Sequence, residues 1–350
     1  MSIDLNVTPY FDDFDENKNF YQILFKPGFA VQSRELTQLQ TILNRQIEKF
    51  GSHVFSHGSL VIPGNSYLDK AAKFVIVQQY YANDLNNFAV NDVLEGLTTG
   101  VKGVIRYITQ VGSNKKLYIS YTSGGTNGEN VFANGEILQK ENTSLTCQAI
   151  ATNATGIGSL FVMHEGIFYV NGFFVKCQSE ILEVDGTTNT PTASIVFEII
   201  EKIVDSSEDQ SLLDPAQGSY NFAAPGADRL KISLSLQKKP FDFTIDKNYI
   251  LLMKVEEGRI RYHSDAPKYS ELEKSLAKRT YDESGNYIVD GLQLNVIEDL
   301  RTLTTHGRST TGDANKLCYQ ISAGRAYIQG FECKNLSQTE LIVDKARTAS

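Results

Sequence analysis

At 350 residues, with 41% hydrophobic and 21% charged side chains, the chain can bury two or three cores and is too apolar to be globally disordered. A net charge of −8 excludes a nucleic-acid-coating role, which needs a basic surface. Cys147, Cys177, Cys318 and Cys333 have neither zinc-site spacing nor disulfide-scaffold density, and no run of 18 apolar residues could span a membrane.

In chain order, Met1 to Asn6 lacks a signal-peptide pattern. Tyr10, Phe11 and Phe14 are interleaved with Asp12, Asp13 and Asp15, which predicts an extended arm held by its aromatic side chains. Lys26-Pro27-Gly28 marks a turn. A helix is expected from Ser33 to Phe50, with Ser33 as N-cap and Gly51 as the stop. Its apolar stripe is Leu36, Leu39, Ile42, Leu43, Ile47 and Phe50. Within it, Leu36, Leu39, Leu43, Gln46 and Phe50 space as a short heptad seam. That stripe favours packing on the same subunit or a neighbouring domain, with a subunit contact as the alternative.

From Leu60 onward short apolar runs alternate with turn signals at Gly124-Gly125, Asn127-Gly128, Asn134-Gly135, Asn171-Gly172 and Asp185-Gly186. Such spacing predicts sandwich or barrel strands. A long loop is expected at 212–229, strands at Leu230 to Leu236 and Tyr249 to Val255, and a charged helix at 268–279. Tyr281 to Tyr287 reads as a turn and Leu292 to Val296 as a strand.

The segment from Gly166 to Phe173 shares the pattern G-x-x-Y-[V/I]-[N/Q]-G-F with Gly324 to Phe331. Each copy reads as a hairpin turning at its Asn-Gly or Gln-Gly pair, and each leads to a second strand ending in Val-Asp. The expected fold is therefore mainly β: two related β-sandwich or barrel-like domains from internal duplication, behind an extended arm and one long helix. Boundaries are expected at 1–60, 61–190 and 191–350, with further fibre domains after Ser350.

No catalytic or metal motif is complete. The acidic run at Asp13 begins like a calcium loop, yet Lys18 and Leu24 stand where glycine and glutamate belong. His53 and His57 lack the glutamate of a zincin helix. Gly156-Ile157-Gly158 lacks the third glycine of a dinucleotide site. His164-Glu165 has no nucleophile or metal assigned beside it, and no specific carboxylate pair is marked. The expectation is a protein that is not an enzyme and binds no cofactor or metal.

Several segments together resemble a known family: Asn6 to Asp15, Phe25 to Gly28, Gln32 to Gln40, Asp214 to Arg229, Arg279 to Tyr287, Gly324 to Phe331, and Asp344 to Arg347. They resemble DUF4815, a family of virion structural proteins of tailed phages, notably cyanophages. The resemblance offers no catalytic residues. It implies a baseplate or tail-fibre component, assembled in the host cytoplasm, partnered by other tail proteins and itself a homo-oligomer, with a trimer favoured. In that setting Tyr10, Phe11, Phe14, Phe20, Tyr21, Phe25, Arg34, Leu36, Leu39, Leu43 and Phe50 are the expected assembly contacts. A receptor- or glycan-binding fibre module, using loops 122–130 or 214–229, is the alternative. A polysaccharide depolymerase is the less favoured third reading.

Overall fold

Short apolar runs between glycine and asparagine turns fold as antiparallel strands along most of the chain. The computed structural model describes residues 3–62, 64–81, 83–126, 128–298, 303–304, 307–308 and 315–345. Asn127 of the expected Asn127-Gly128 turn, and Ala346 to Ser350, lie outside the described residues.

Residues 3–32, called the arm below, precede helix α1 (Ser33–Val54), which is followed by strands β1 (Leu60–Ile62) and β2 (Ser66–Gln79). An inserted run follows: β3 (Val93–Gly96), β4 (Lys102–Val111), β5 (Asn114–Ser123), β6 (Ile137–Lys140) and β7 (Thr146–Ala149). Next are β8 (Thr155–Met163), β9 (Gly166–Val170), β10 (Phe173–Cys177) and β11 (Glu180–Asp185). A middle sheet holds β12 (Ala193–Val204), β13 (Arg229–Lys239), β14 (Tyr249–Glu256) and β15 (Arg259–His263). Helix α2 (Glu271–Ser284) opens the last part, with β16 (Tyr287–Gly291), β17 (Leu294–Glu298), β18 (Leu303–Thr304), β19 (Gly307–Arg308), β20 (Lys316–Ile321), β21 (Gly324–Ile328), β22 (Phe331–Asn335) and β23 (Thr339–Asp344).

The insertion closes on itself. Strands run β2-β5-β4-β3-β6-β7, and β7 pairs back onto β2, giving a six-stranded barrel without free edges. Val75, Leu94, Ile105, Leu117 and Leu138 fill it. Buried Glu136 ties its loops together: one oxygen accepts from the Thr98 and Thr99 amides and the Thr99 hydroxyl, the other from the Ala133 amide at 2.7 Å. Outside the barrel, buried Lys116 lies 4.8 Å over the Phe74 ring and 3.4 Å from Glu183, which also accepts from the Tyr118 hydroxyl. Burial, then that carboxylate, pushes the Tyr118 phenol well above its usual range.

Gly156 and Gly158 lie in β8, where a Cβ would fall within 3 Å of the Phe74 ring and the Tyr118 hydroxyl. Their Gly-x-Gly spacing answers to strand packing.

The main core crosses the expected boundary at residue 190. Leu60, Phe161, Phe168 and Val170 on one side pack with Ile195, Phe197, Leu236 and Leu252 on the other. Ala193 to Phe197 is buried on both faces because β12 sits between β13 and β14. Partner strand β13 alternates, turning Leu234 and Leu236 inward and Ser233 and Ser235 outward to a lesser depth.

Around this sheet, two sets of elements have the same layout. In one, the sheets are β1-β9-β10 and β11-β8-β2; in the other, β16-β21-β22 and β23-β20-β17. Leu60 faces Phe168 as Ile288 faces Ala326, with a bulge beside each pair. Ser66 faces Met163 as Leu294 faces Ile321. The hairpins match from Cys177 opposite Gly166 and Asn335 opposite Gly324. Both turns have left-handed backbone at Asn171-Gly172 and Gln329-Gly330, the type I′ geometry that suits a right-twisted ribbon. A helix lies over each turn: a Cβ on Gly172 would meet Glu48 of α1, and one on Gly330 would meet the Ala277 backbone of α2.

Helix boundaries depart from expectation. The cap position is Gln32, whose amide donates to Glu35 at 2.9 Å, so Ser33 is already helical. Gly51 does not stop α1. It is buried inside the helix, because a Cβ there would sit 2.6 Å from the Tyr169 ring. Helix α2 runs through the expected turn at Tyr281 and ends where Gly285 takes a positive φ.

Two consequences can be measured. In an open helix Gly→Ala stabilises by about 1 kcal/mol. Gly51→Ala should instead destabilise by about 1–2 kcal/mol in urea unfolding, through collision with Tyr169. Glu136→Ala should cost about 3 kcal/mol, because it strands buried donors in the barrel loops.

Candidate functional site

The arm and α1 leave many large apolar side chains uncovered. The helix binds inward through few contacts. Ile42 and Gly51 are its buried residues. The Tyr169 hydroxyl donates to the Glu48 carbonyl at 2.8 Å and lies 2.8 Å from the Ser52 hydroxyl. At its end, the Ser270 amide donates to the Val54 carbonyl at 3.0 Å, and the Ser270 hydroxyl lies within 2.7 Å of the Ser52 and His53 carbonyls. The residue before α2 thus satisfies the open carbonyls of α1. Phe55 stacks on Tyr269 at 5.9 Å across the same junction.

Acidic groups, not aromatic ones, hold the arm. Buried Asp12 accepts from the Thr41 hydroxyl, and Glu16 pairs with Lys49. Asp13 accepts from Arg34 at 3.4 Å and from Gln38 at 3.3 Å. Asp15 caps the short turn that begins at Glu16. The calcium-like run is therefore spent on helix α1 and on its own turn. Tyr10 is the aromatic exception, since its hydroxyl donates to Asp228 at 2.5 Å and ties the arm to the end of the 212–229 loop. That hydrogen bond holds the phenol above its usual range.

Phe14 and Tyr10 are half-buried, whereas Phe11, Phe20, Tyr21 and Phe25 are exposed. This reverses the expectation that aromatic side chains secure the arm. Aspartates can satisfy themselves on helix hydroxyls and cations, so the rings are left on the outer side. On α1, Leu36, Leu39, Leu43 and Phe50 are all exposed, Phe50 at 72%. Arg34 sits at the start of this stripe, engaged by Asp13. The structure thus brings the seam onto one uncovered face and splits the arm residues between inner and outer positions.

Leu24, Phe29, Val31 and Ile47 are also exposed and extend the surface. The first three lie in the segment around Lys26-Pro27-Gly28, where no periodicity marks them. The Asp12, Asp13 and Glu16 anchors alternate with aromatics, and only the helix cations facing them, Arg34 and Lys49, could have betrayed their role.

Behind the arm lies a cleft of about 880 Å³, lined by Tyr10, Thr41, Asn44, Phe173, Asp228 and Arg229 among others. Asp228 is the carboxylate of its lining and is already engaged by Tyr10. Among the described residues no three His, Cys, Asp or Glu side chains gather as metal ligands. His57 lies in the turn after α1, with its ring 3.2 Å from the Lys247 carbonyl. Cys147, Cys177 and Cys318 are buried, and burial pushes the Cys147 thiol up to about 12. No helix among the described residues is long and apolar enough to cross a membrane.

Residues 8–84 and 119–350 match the model of a family described as a domain of unknown function, DUF4815. The stretch between the two matches covers β3, β4 and the start of β5, inside the barrel. No curated protein and no solved structure matches the chain. With the match spread over the arm, α1, the middle sheet and both hairpins, the chain belongs to the DUF4815 family.

Proposed function

We propose that this protein is a structural component of a phage tail baseplate or tail-fibre attachment apparatus, and that it acts by subunit–subunit assembly. The observation that carries the assembly reading is the uncovered seam on α1, together with the exposed aromatics of the arm. Soluble monomers rarely expose a contiguous apolar patch of more than a few hundred Å², and larger ones mark interaction sites. The phage setting rests on the family resemblance of the arm, the α1 sequence and the Gly324 hairpin.

The occupant proposed for the seam is α1 of further copies of the same chain. Leu36, Leu39, Leu43, Gln46 and Phe50 recur at alternating intervals of three and four, the spacing at which identical helices interlock. A homotrimer is favoured, with other tail proteins as further partners and the virion as its place. The arm suits this role because exposed ion pairs such as Arg34–Asp13 contribute at most about 1 kcal/mol each, leaving its rings available to a neighbour. We also propose that the two matching sets of strands are an internal duplication, interrupted by the barrel and separated by the middle sheet.

Light scattering on the purified chain should give a mass that is a whole multiple of the trimer. Leu43→Glu and Phe50→Glu, both at exposed positions, should lower that mass while leaving the circular dichroism unchanged. Burial of one such side chain contributes about 1.5–3 kcal/mol, so each change should weaken association by on the order of tenfold or more. A wild-type chain that stays monomeric at every concentration would sink the seam reading.

One observation favours a second role as a glycan-binding module. The 212–229 loop is braced at its base by the Asp214 and Ala224 backbones, and it presents Tyr220, Asn221 and Phe222 at its tip. Host lipopolysaccharide binding that falls on Tyr220→Ala would support it, and a blank glycan array would remove it.

A further inference from the structure

The shared register makes one difference between the two sets of strands sharp. In the first set, Leu60, Met163 and Val170 are no more than 2% exposed, and Phe173 and Leu182 pack on the same core. What covers them is the apolar face of β12, β13 and β14. Strand β13 runs beside β10 and β11, and the Leu236 amide donates to Glu180 at 3.2 Å. In the second set the matching positions are Ile288, Ile321, Ile328, Phe331 and Leu341. All are still large and apolar, and all are between 37% and 62% exposed.

The molecule therefore demonstrates what this face does when it is filled: it takes an apolar antiparallel β-layer. We propose that in the second set the layer is the same face of a second copy of the chain, docked about a two-fold axis. Each copy presents there the kind of layer that the other requires, so the contact is self-complementary. Together the exposed side chains offer about 500 Å² per copy and about 1,000 Å² per pair, the smallest area expected of a specific interface. The proposal stands on strand register and does not depend on the α1 seam.

The face carries its own reporter. Cys333 stands opposite Ala326, at the position that Val175 holds opposite Phe168, and it is exposed whereas Cys147, Cys177 and Cys318 are buried. Treating the full chain with a bis-maleimide should trap a dimer through Cys333. Leu341→Glu and Ile328→Glu, which alter exposed positions, should cut the trapped dimer about tenfold while circular dichroism stays native. Cys333→Ser should abolish trapping without changing the mass seen by light scattering. Leu43→Glu should leave trapping intact, which separates this interface from the seam on α1. The proposal is overturned if Cys333 labels fully with a mono-maleimide and no dimer is trapped, or if trapping survives Leu341→Glu. Protection of Cys333 only in the presence of another tail protein would also overturn it, by identifying a different occupant.

Discussion

The contact between Tyr169 and the last turns of α1 determines how the N-terminal surface is displayed. A phenol beneath a helix can satisfy its hydroxyl on a backbone carbonyl only if the helix comes very close, and Gly51 permits that approach. Gly172 removes the second obstacle at the hairpin turn. One narrow strip of α1 is thereby fixed, and Ile42 completes it. The apolar residues of the heptad-spaced seam lie off that strip and stay exposed. Had α1 been bound through its apolar stripe, the ordinary use of an amphipathic helix, no seam would be left for a neighbour.

The same device recurs at the other end of the chain, where Gly330 lets α2 lie over its hairpin. Identical geometry is used in two energetic settings. The first set of strands shares a core with the middle sheet, so its hairpin is locked into the largest hydrophobic cluster among the described residues. Strands of the second set bury only Cys318 and Ala326 among their hydrophobic side chains, and are held to the middle sheet by polar contacts. Arg261 donates to the Gln338 carbonyl and the Thr339 hydroxyl, both at 3.1 Å, and Ser337 donates to the Ile260 carbonyl. A fold this lopsided leaves hydrophobic surface unspent on its outside.

Much of this was legible where local chemistry decides the outcome. The Asn-Gly and Gln-Gly turns, the alternation in β13 and the apolar period of α1 act over a few residues, and the mainly β architecture follows from them. What was not legible depends on contacts between distant segments. Gly51 reads as a stop signal until Tyr169, over a hundred positions away, explains why a glycine belongs inside a helix. The matching layout is visible in sequence only at the hairpin and at the Val-Asp that ends the strand after it. Leu60 and Ile288, or Ser66 and Leu294, share a register without sharing an identity, since pairing fixes backbone position and leaves the side chain free to change. In the arm, aromatics and aspartates alternate, and nothing local says which kind faces inward. The answer lies in Thr41, Arg34 and Lys49 on the helix it crosses.

The central claim is that α1 and the arm make contacts with neighbouring subunits. Hydrogen exchange measured on the intact chain across a dilution series tests it most directly. The account predicts that amides in residues 36–50 gain protection as concentration rises, while those of the barrel core around Leu117 and Leu138 do not change. Protection of α1 that is independent of concentration, in a chain that nonetheless folds, would contradict it.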